Sequence, residues 1–413
     1  MKLCAAHPCF SSRSLRKGES VPLSGSDCSF SLFTSIDSVP ETYWELAQRS
    51  GDYFLQRDYL QLLEDSPPGN LRFSYLLFFH RGKPVGIAYG QLLEFRAEEH
   101  IRQQDADASR LRQLVAARVQ LKVLICGNML LTGQHGFYFE PEHAALAHAP
   151  LREALRKTAD LWRSRGVTVN SILVKDLDEE QANLIENWNA SEYHSLKFQP
   201  NMVLPIRPHW HSMDDYLEDL SSKYRVRYRR ARKKLQRVQC LELNEEQIRT
   251  YEPELYPLYR KVAESSGFCV GYLAPDYFSE LKAAAPRDFR LWAYFQSGEL
   301  IGFCTAIRNG DELEAHFLGF GEEQQPYQLY LNMLYHLIEV AIQERVGQLV
   351  FSRTAMEIKS SVGAVAVPTT VFLLHHTSSL LNHLIPCLVG LLEPKDAWQP
   401  RHPFRTPEAL GID

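Results

Sequence analysis

Apolar and polar positions alternate in the same way at two places along the chain. Residues 74–93 read SYLLFFHRGKPVGIAYGQLL and residues 290–307 read RLWAYFQSGELIGFCTAI, each a pair of short β-rich runs around a central glycine. Gly82 and Gly86 superpose on Gly298 and Gly302 with a single offset of 216 residues, so each segment is expected to be a hairpin whose turn glycine supplies positive φ. The likeness continues downstream. Residues 151–176 and 329–354 each read as a helix, a glycine stop at Gly166 or Gly347, and a strand. In the second copy Tyr330, Met333, Leu334, Leu337, Ile338 and Ala341 recur at helical spacing, one apolar stripe against a sheet. The pattern is a tandem duplication of hairpin, further strand, helix and strand, which predicts a mixed α/β (α+β) fold of two domains, each a mostly antiparallel sheet with flanking helices.

The first copy is longer between its two marker glycines, and the polar stretch near residues 96–120 accounts for most of the excess as a helical insertion. Residues 1–28 show no period and read as a disordered tail; the first domain then occupies 29–205, the second 206–392, and a Pro-broken extension 393–413. The apolar segment SLLNHLIPCLVGLLEP reads as a C-terminal helix packed on its own domain. With 45 basic and 50 acidic residues among 413, no global positive field advertises DNA. The eight cysteines form no C-x-x-C pair and no set suited to zinc, and His135, His143, His148, His375 and His376 make no metal-binding spacing, so reduced thiols and no metal are expected. The absence of an apolar run of membrane length gives the cytoplasm as the expected location.

Three strings carry a family resemblance: SSKYRVRYRRARKKLQRV at 221–238, SRTAMEIKSSVGA at 352–364 and RHPFR at 401–405. With the duplicated core, they resemble the tandem-GNAT proteins, a group that includes the Fem-type peptidoglycan peptidyl transferases and the BioF-like acetyltransferase-domain proteins. The second string, with Arg353, Thr354, Glu357, Lys359 and Gly363, is most similar to the BioF-like branch. The resemblance implies two tandem GNAT-like domains and an N-acyltransferase that uses acetyl-CoA or another acyl-CoA as donor. The acceptor it implies is the amine of a small or cell-envelope-related metabolite bearing phosphate or carboxylate. Aminoacyl-tRNA-dependent Fem-type transfer, with tRNA as partner, and a non-catalytic ligand-binding protein are the alternatives. The usual Q/R-x-x-G-x-G/A diphosphate loop is absent from both copies. The first reads CGNMLLTGQHGF at the equivalent place, leaving Gly127, Asn128 and Gly133 as the donor-binding candidates, and the second reads GFGEEQQPYQ, whose Glu322 and Glu323 oppose a diphosphate.

Nine cations fall within residues 223–237 on an amphipathic helix capped by Ser221 or Ser222. Arg225 and Arg229, one turn apart, are candidates to grip a phosphate or carboxylate; the competing reading is a solvated face paired with Glu242, Glu245 and Glu246. Arg353, Glu357 and Lys359 follow a strand, where open sheets place ligands: Arg353 and Thr354 to bind the acceptor, Glu357 to orient or deprotonate the amine, Lys359 to stabilise negative charge. If that segment is helical, Arg353 and Glu357 are also spaced for a structural ion pair. Glu314 and His316 alternate on one strand and share a face, which makes them candidate bases or a water relay, although a lone strand histidine is more often structural. Tyr330 and Asn332 open the next helix and are candidates to protonate a leaving thiolate or to bind the acceptor. The oligomeric state is not legible.

Overall fold

A computed structural model describes residues 20–24, 27–69, 71–96, 120–186, 193–265, 271–321, 326–378, 382 and 398–405. The 96–120 insertion, apart from its two ends, and most of the apolar segment from Ser379 to Pro394 lie outside the described residues, as do residues 1–19 of the expected tail and 322–325.

The first half contains β1 (Ser20–Pro22), β2 (Cys28–Phe33), α1 (Glu41–Ser50), α2 (Arg57–Asp65), β3 (Arg72–His80), β4 (Lys83–Arg96), β5 (Gln120–Cys126) and β6 (Phe137–Phe139). Helix α3 (His148–Ser164) then leads to β7 (Ser171–Leu177), α4 (Glu179–Glu186) and β8 (His194–Lys197). The second half contains β9 (Asn201–Pro205), α5 (Met213–Asp219), α6 (Ser222–Lys234), β10 (Val238–Glu242), α7 (Glu245–Ser265) and α8 (Tyr277–Ala284). It continues through β11 (Phe289–Gln296), β12 (Glu299–Asn309), β13 (Glu312–Phe320), α9 (Leu329–Gln343), β14 (Gln348–Val350), α10 (Met356–Ser360), β15 (Val365–Val367) and β16 (Thr370–His375).

Each half has its own sheet, and among the described residues each sheet contains one parallel pair: β5 with β7 after α3, and β13 with β14 after α9. The duplication extends to backbone detail. Both hairpin turns place two consecutive residues at positive φ, Arg81 (50°) and Gly82 (77°) in one copy, Ser297 (51°) and Gly298 (87°) in the other, the twist that suits a two-residue hairpin. Each hairpin also carries a bulge at the equivalent place, between Phe78 and Phe79 in one and between Tyr294 and Phe295 in the other, again 216 residues apart. The helix stops differ. Gly166 is left-handed (φ 82°) just beyond α3, but after α9 the left-handed residue is Arg345 (φ 53°), and Gly347 is needed for space instead, because a Cβ there would lie 2.3 Å from Asp311 Oδ2.

The two sheets do not divide the chain at one point. Strand β9, expected at the end of the first domain, pairs with β14 and β15 in the second sheet, while β16 returns to the first sheet between β7 and β8. The parallel strand of each sheet thus gains an antiparallel neighbour across the seam, which satisfies backbone groups it would otherwise expose. The expected tail also shortens: Ser20–Pro22 pairs with β2, and Leu23 is buried in the outer core of the first half. At the other end, Phe404 pairs with Leu220 and lies against Trp210 and Tyr216, so RHPFR is packed onto the second half.

Three apolar cores result. One lies on the outside of each sheet, and a third, between the halves, joins Phe54, Tyr59 and Leu63 to Tyr277, Phe278 and Phe303. Helix α6 enters the second outer core through Tyr224, Ala231 and Leu235, and Tyr228 meets Tyr335 edge-on at 4.9 Å. Ser221 takes the N-cap position, but its side chain makes no capping bond.

Candidate active site

Strands β13 and β14 are paired only over Glu312–Glu314 and Gln348–Val350. Beyond Val350 the chain turns away through Ser352, Thr354 and Ala355, all at positive φ (61°, 66° and 46°), and enters the short helix α10. Strand β13 continues to Phe320 on the arm of β12, so a wedge opens between the two. The wedge holds a cavity of about 670 Å³, within the range of small-molecule sites. Helix α9 lines it with Tyr330, Met333, Leu334 and Leu337, and α7 with Tyr259, Val262 and Ala263. The first half closes it with Met129–Thr132 and Lys175.

Along the β13 wall, His316 and Phe317 together face the single residue Thr305 of β12, a bulge that re-aims the strand where it borders the cavity. Thr305 Oγ1 stabilises it by accepting from Phe317 N and donating to Phe317 O, both at 2.8 Å. His316 lines the cavity and its Nε2 is 2.8 Å from Tyr277 Oη. Burial pushes its imidazole down to about 3, so it is neutral at physiological pH and a poor base.

Polar groups gather where β7 and β14 end. Lys359, 5% exposed, donates from Nζ to the carbonyls of Arg353 (2.5 Å) and Ser352 (3.1 Å), and burial pushes it down to about 7. Arg353 does not pair with Glu357. Its guanidinium crosses to the first half and binds Asp176, Thr369 Oγ1 at 3.0 Å and the Gln199 carbonyl at 2.9 Å. Asp176, left-handed at φ 58°, also receives Lys175 Nζ and, at 3.1 Å, Gly133 N. Burial works against its carboxylate, yet Lys175 and Arg353 hold it below the usual range.

A second buried network lies behind the β13 wall. Glu314, 3% exposed, accepts from Asn309 Nδ2 at 3.2 Å and faces His135 Nε2 at 3.7 Å; His135 Nδ1 is 2.9 Å from Asp52. Burial opposes the imidazolium, but Asp52 and Glu314 raise His135 to about 9. Burial raises Glu314 to about 7, with His135 pulling the other way. In this arrangement His135 contributes stability that is full below its unfolded value of about 6.5 and is lost as pH rises through about 9. Glu314→Gln removes one of the two carboxylates, so the imidazole of His135, followed by NMR, is expected to titrate clearly below its wild-type value; an unchanged value would contradict the pairing.

The remaining sequence candidates separate from this site. Glu357 projects from the other side of α10, exposed, and is held below its ordinary range by the Gln399 N–H and by Arg401 at 3.2 Å. It borders a second pocket with Lys223, Arg227 and Arg401, so it is not placed to deprotonate an amine in the main cavity. Arg225 caps α5 by donating to the Leu220 carbonyl at 2.7 Å, and Arg229 is exposed to solvent. Asn332 is fully buried on the far side of α9, where its Nδ2 donates to the Ala231 carbonyl at 3.0 Å and ties α9 to α6. Thr354 and Tyr330 do line the cavity, and Tyr330 stacks on Phe320 at 5.9 Å.

The glycine loop of the first half offers no diphosphate cradle. Met129 N already donates to Gln91 Oε1 (2.9 Å), Leu130 N to Asn128 Oδ1 (2.9 Å) and Gly133 N to Asp176. Gly127 and Gly133 take positive φ to let the loop close over Lys175 and His135, and Asn128 fixes the turn through Tyr59 Oη at 3.0 Å. Sequence reasoning missed Asp52, His135, Lys175, Asp176 and Tyr277 as members of the site. Lys175 and Asp176 could have been suspected from their place at the carboxyl end of a parallel strand.

Residues 135–380, more than half of the chain, match the family model FemAB-like, described as peptidoglycan biosynthesis/recognition. The chain belongs to the FemAB-like family. Its two mixed sheets with flanking helices are the mixed α/β architecture that the sequence pattern predicts. No curated protein matches this FemAB-like sequence. Among solved structures it is similar to FemX (11% identity, 76% of this chain and 94% of that one, TM-score 0.45). It is also similar to a tandem GNAT protein of the clavulanic acid pathway (9% identity, 85% and 99%, TM-score 0.49). A third is the C-terminal domain of a putative lysylphosphatidylglycerol synthetase from Agrobacterium fabrum (9% identity, 85% and 97%, TM-score 0.48). Among the described residues of this FemAB-like chain, no helix is long and apolar enough to cross a membrane.

Proposed function

We propose that the protein is an N-acyltransferase that holds the acyl end of an acyl-CoA donor in the wedge between β13 and β14 and passes it to the amine of a second substrate. The observation that carries this reading is Lys359, an amine held near neutrality in the wall of a mostly apolar cavity. The acceptor arrives as an ammonium. Lys359 Nζ takes one of its protons; the free amine attacks the thioester carbonyl; a C–N bond forms and the C–S bond breaks. The departing thiolate takes the proton that the new amide nitrogen sheds, so that amide and thiol both leave neutral. Past Glu314 the free edge of β13 turns alternate N–H groups toward the wedge, where they meet the developing oxyanion. A cytoplasmic location goes with this reading, as the compartment in which a CoA thioester is commonly met. In the second pocket Glu357 already pairs with Arg401, which leaves Lys223 and Arg227 to meet an anionic acceptor group, phosphate or carboxylate.

One observation favours a second donor. Arg229, Arg230, Lys233, Lys234 and Arg237 form an exposed cationic face on and just beyond α6, the feature expected of a tRNA-facing surface in aminoacyl-tRNA-dependent transfer. Thermal-shift measurements with acetyl-CoA, longer acyl-CoAs and uncharged tRNA separate the two, because a ligand of the native state raises the midpoint. The expected result is a shift with acyl-CoA that a cavity-filling variant loses. A salt-sensitive shift with tRNA alone, removed by Arg229→Glu with Arg230→Glu, selects the aminoacyl-tRNA donor instead.

A further inference from the structure

We infer that the cavity between β13 and β14 is a binding site for a long unbranched aliphatic acyl chain, with the carbonyl end at Lys359 and the tail running toward Phe320. The inference deepens the acyl-transfer reading and rests on it for the chain's role as donor.

The cavity measures about 670 Å³ and is partly open to solvent, a cleft that an acetyl group alone would not fill. Its body is walled by Leu130, Val262, Phe317, Leu334 and Leu337, side chains that give water no hydrogen bonds. The charged groups of the lining, Lys175, Arg353 and Lys359, stand together, with Asp176 as the carboxylate that binds the first two; Thr305, His316 and Tyr330 are neutral polar groups that also line the cavity. The wall along β13 from Ala315 to Phe320 extends roughly 17 Å at the rise of a strand. A charged end at Lys175 and Arg353 and a mostly apolar body fit an extended chain with a carbonyl or carboxylate head; a compact polar acyl group such as an amino acid would bring an ammonium to a place where Asp176 is already taken by Lys175 and Arg353.

The test uses cis-parinaric acid, a fluorescent long-chain fatty acid, titrated into the purified full chain and then displaced by saturated fatty acids from butyrate to palmitate. The expected result is one site per chain, with displacement tightening about fourfold per methylene over part of the series. Val262→Trp and Leu334→Trp, which fill the cavity from two different helices, should each lose the binding; circular dichroism and the unfolding midpoint show that at least one is folded. Absence of parinaric acid binding, displacement independent of length, or binding that a folded filling variant retains would each overturn the inference. Turnover of acetyl-CoA alongside any of these would leave the acyl-transfer reading standing. Chain binding without thiol release from any acyl-CoA would support the site and reject the thioester donor.

Discussion

Lys359→Met is expected to lower kcat about 10²–10⁴-fold, the usual worth of a positioned general base, while leaving the affinity for an acyl chain within a few-fold of wild type. Methionine keeps the length and apolar character of the lysine stem, so the cavity wall survives. What it removes is the amine that bonds the Ser352 and Arg353 carbonyls and takes the acceptor's proton. The pH profile gives the sign. Lys359 is a base only when neutral, so wild-type activity should rise with pH through about 7 and then level off. Stability moves with it. A lysine depressed from its ordinary 10.5 to about 7 contributes stability that is full above the unfolded value and is lost as pH falls through the folded one, so wild type should weaken relative to Lys359→Met between pH 10 and pH 6. A variant of unchanged kcat, or one whose residual rate keeps the same rise near pH 7, would remove Lys359 from the chemistry.

Asp176→Asn is expected to destabilise the fold by about 3–5 kcal/mol, because it leaves a buried cation, Lys175, and a half-buried one, Arg353, without their carboxylate. Asparagine is the cleaner substitution, since it tolerates the left-handed φ of 58° that Asp176 adopts, whereas alanine adds about 1–2 kcal/mol of backbone strain. Asp176 lies below its ordinary value, so its contribution is present above the unfolded aspartate pKa and is lost as pH falls through the folded one; the gap between wild type and variant should therefore close in acid. Restoring neutrality with Lys175→Met and Arg353→Leu in the same chain should recover most of the loss. Urea unfolding checks all of this, and a cost for Asp176→Asn under about 1 kcal/mol would show that the network does not hold the halves together.

The repeated half-domain was legible because its signals are local. A turn glycine, alternation on both arms and an apolar helical stripe are each written within a few residues, and the 216-residue offset carried over into turn conformation and bulge position alike. The exchange of β9 and β16 was not legible, since either strand could pair with either sheet and only the three-dimensional seam decides. The same limit separates the site residues. Arg353 finds Asp176 from 177 residues away and His135 finds Asp52 from 83, distances over which no spacing rule operates. Glu357 and Lys359 illustrate the local counterpart. Two positions apart on a single helical turn, they must face different ways, so one borders the cavity and the other the basic pocket. Asn332 drew attention as a polar residue at a helix start, but its face of α9 was already committed to α6.

Consumption of a thioester by an amine in this cavity is measured directly as free thiol released from acyl-CoA in the presence of amine acceptors. Thiol release is expected to depend on an added amine, to yield an equal amount of N-acyl product by mass spectrometry, and to be lost in Lys359→Met and in a folded cavity-filling variant. No amine-dependent release from any acyl-CoA, or release that both variants retain, would contradict thioester consumption in this cavity.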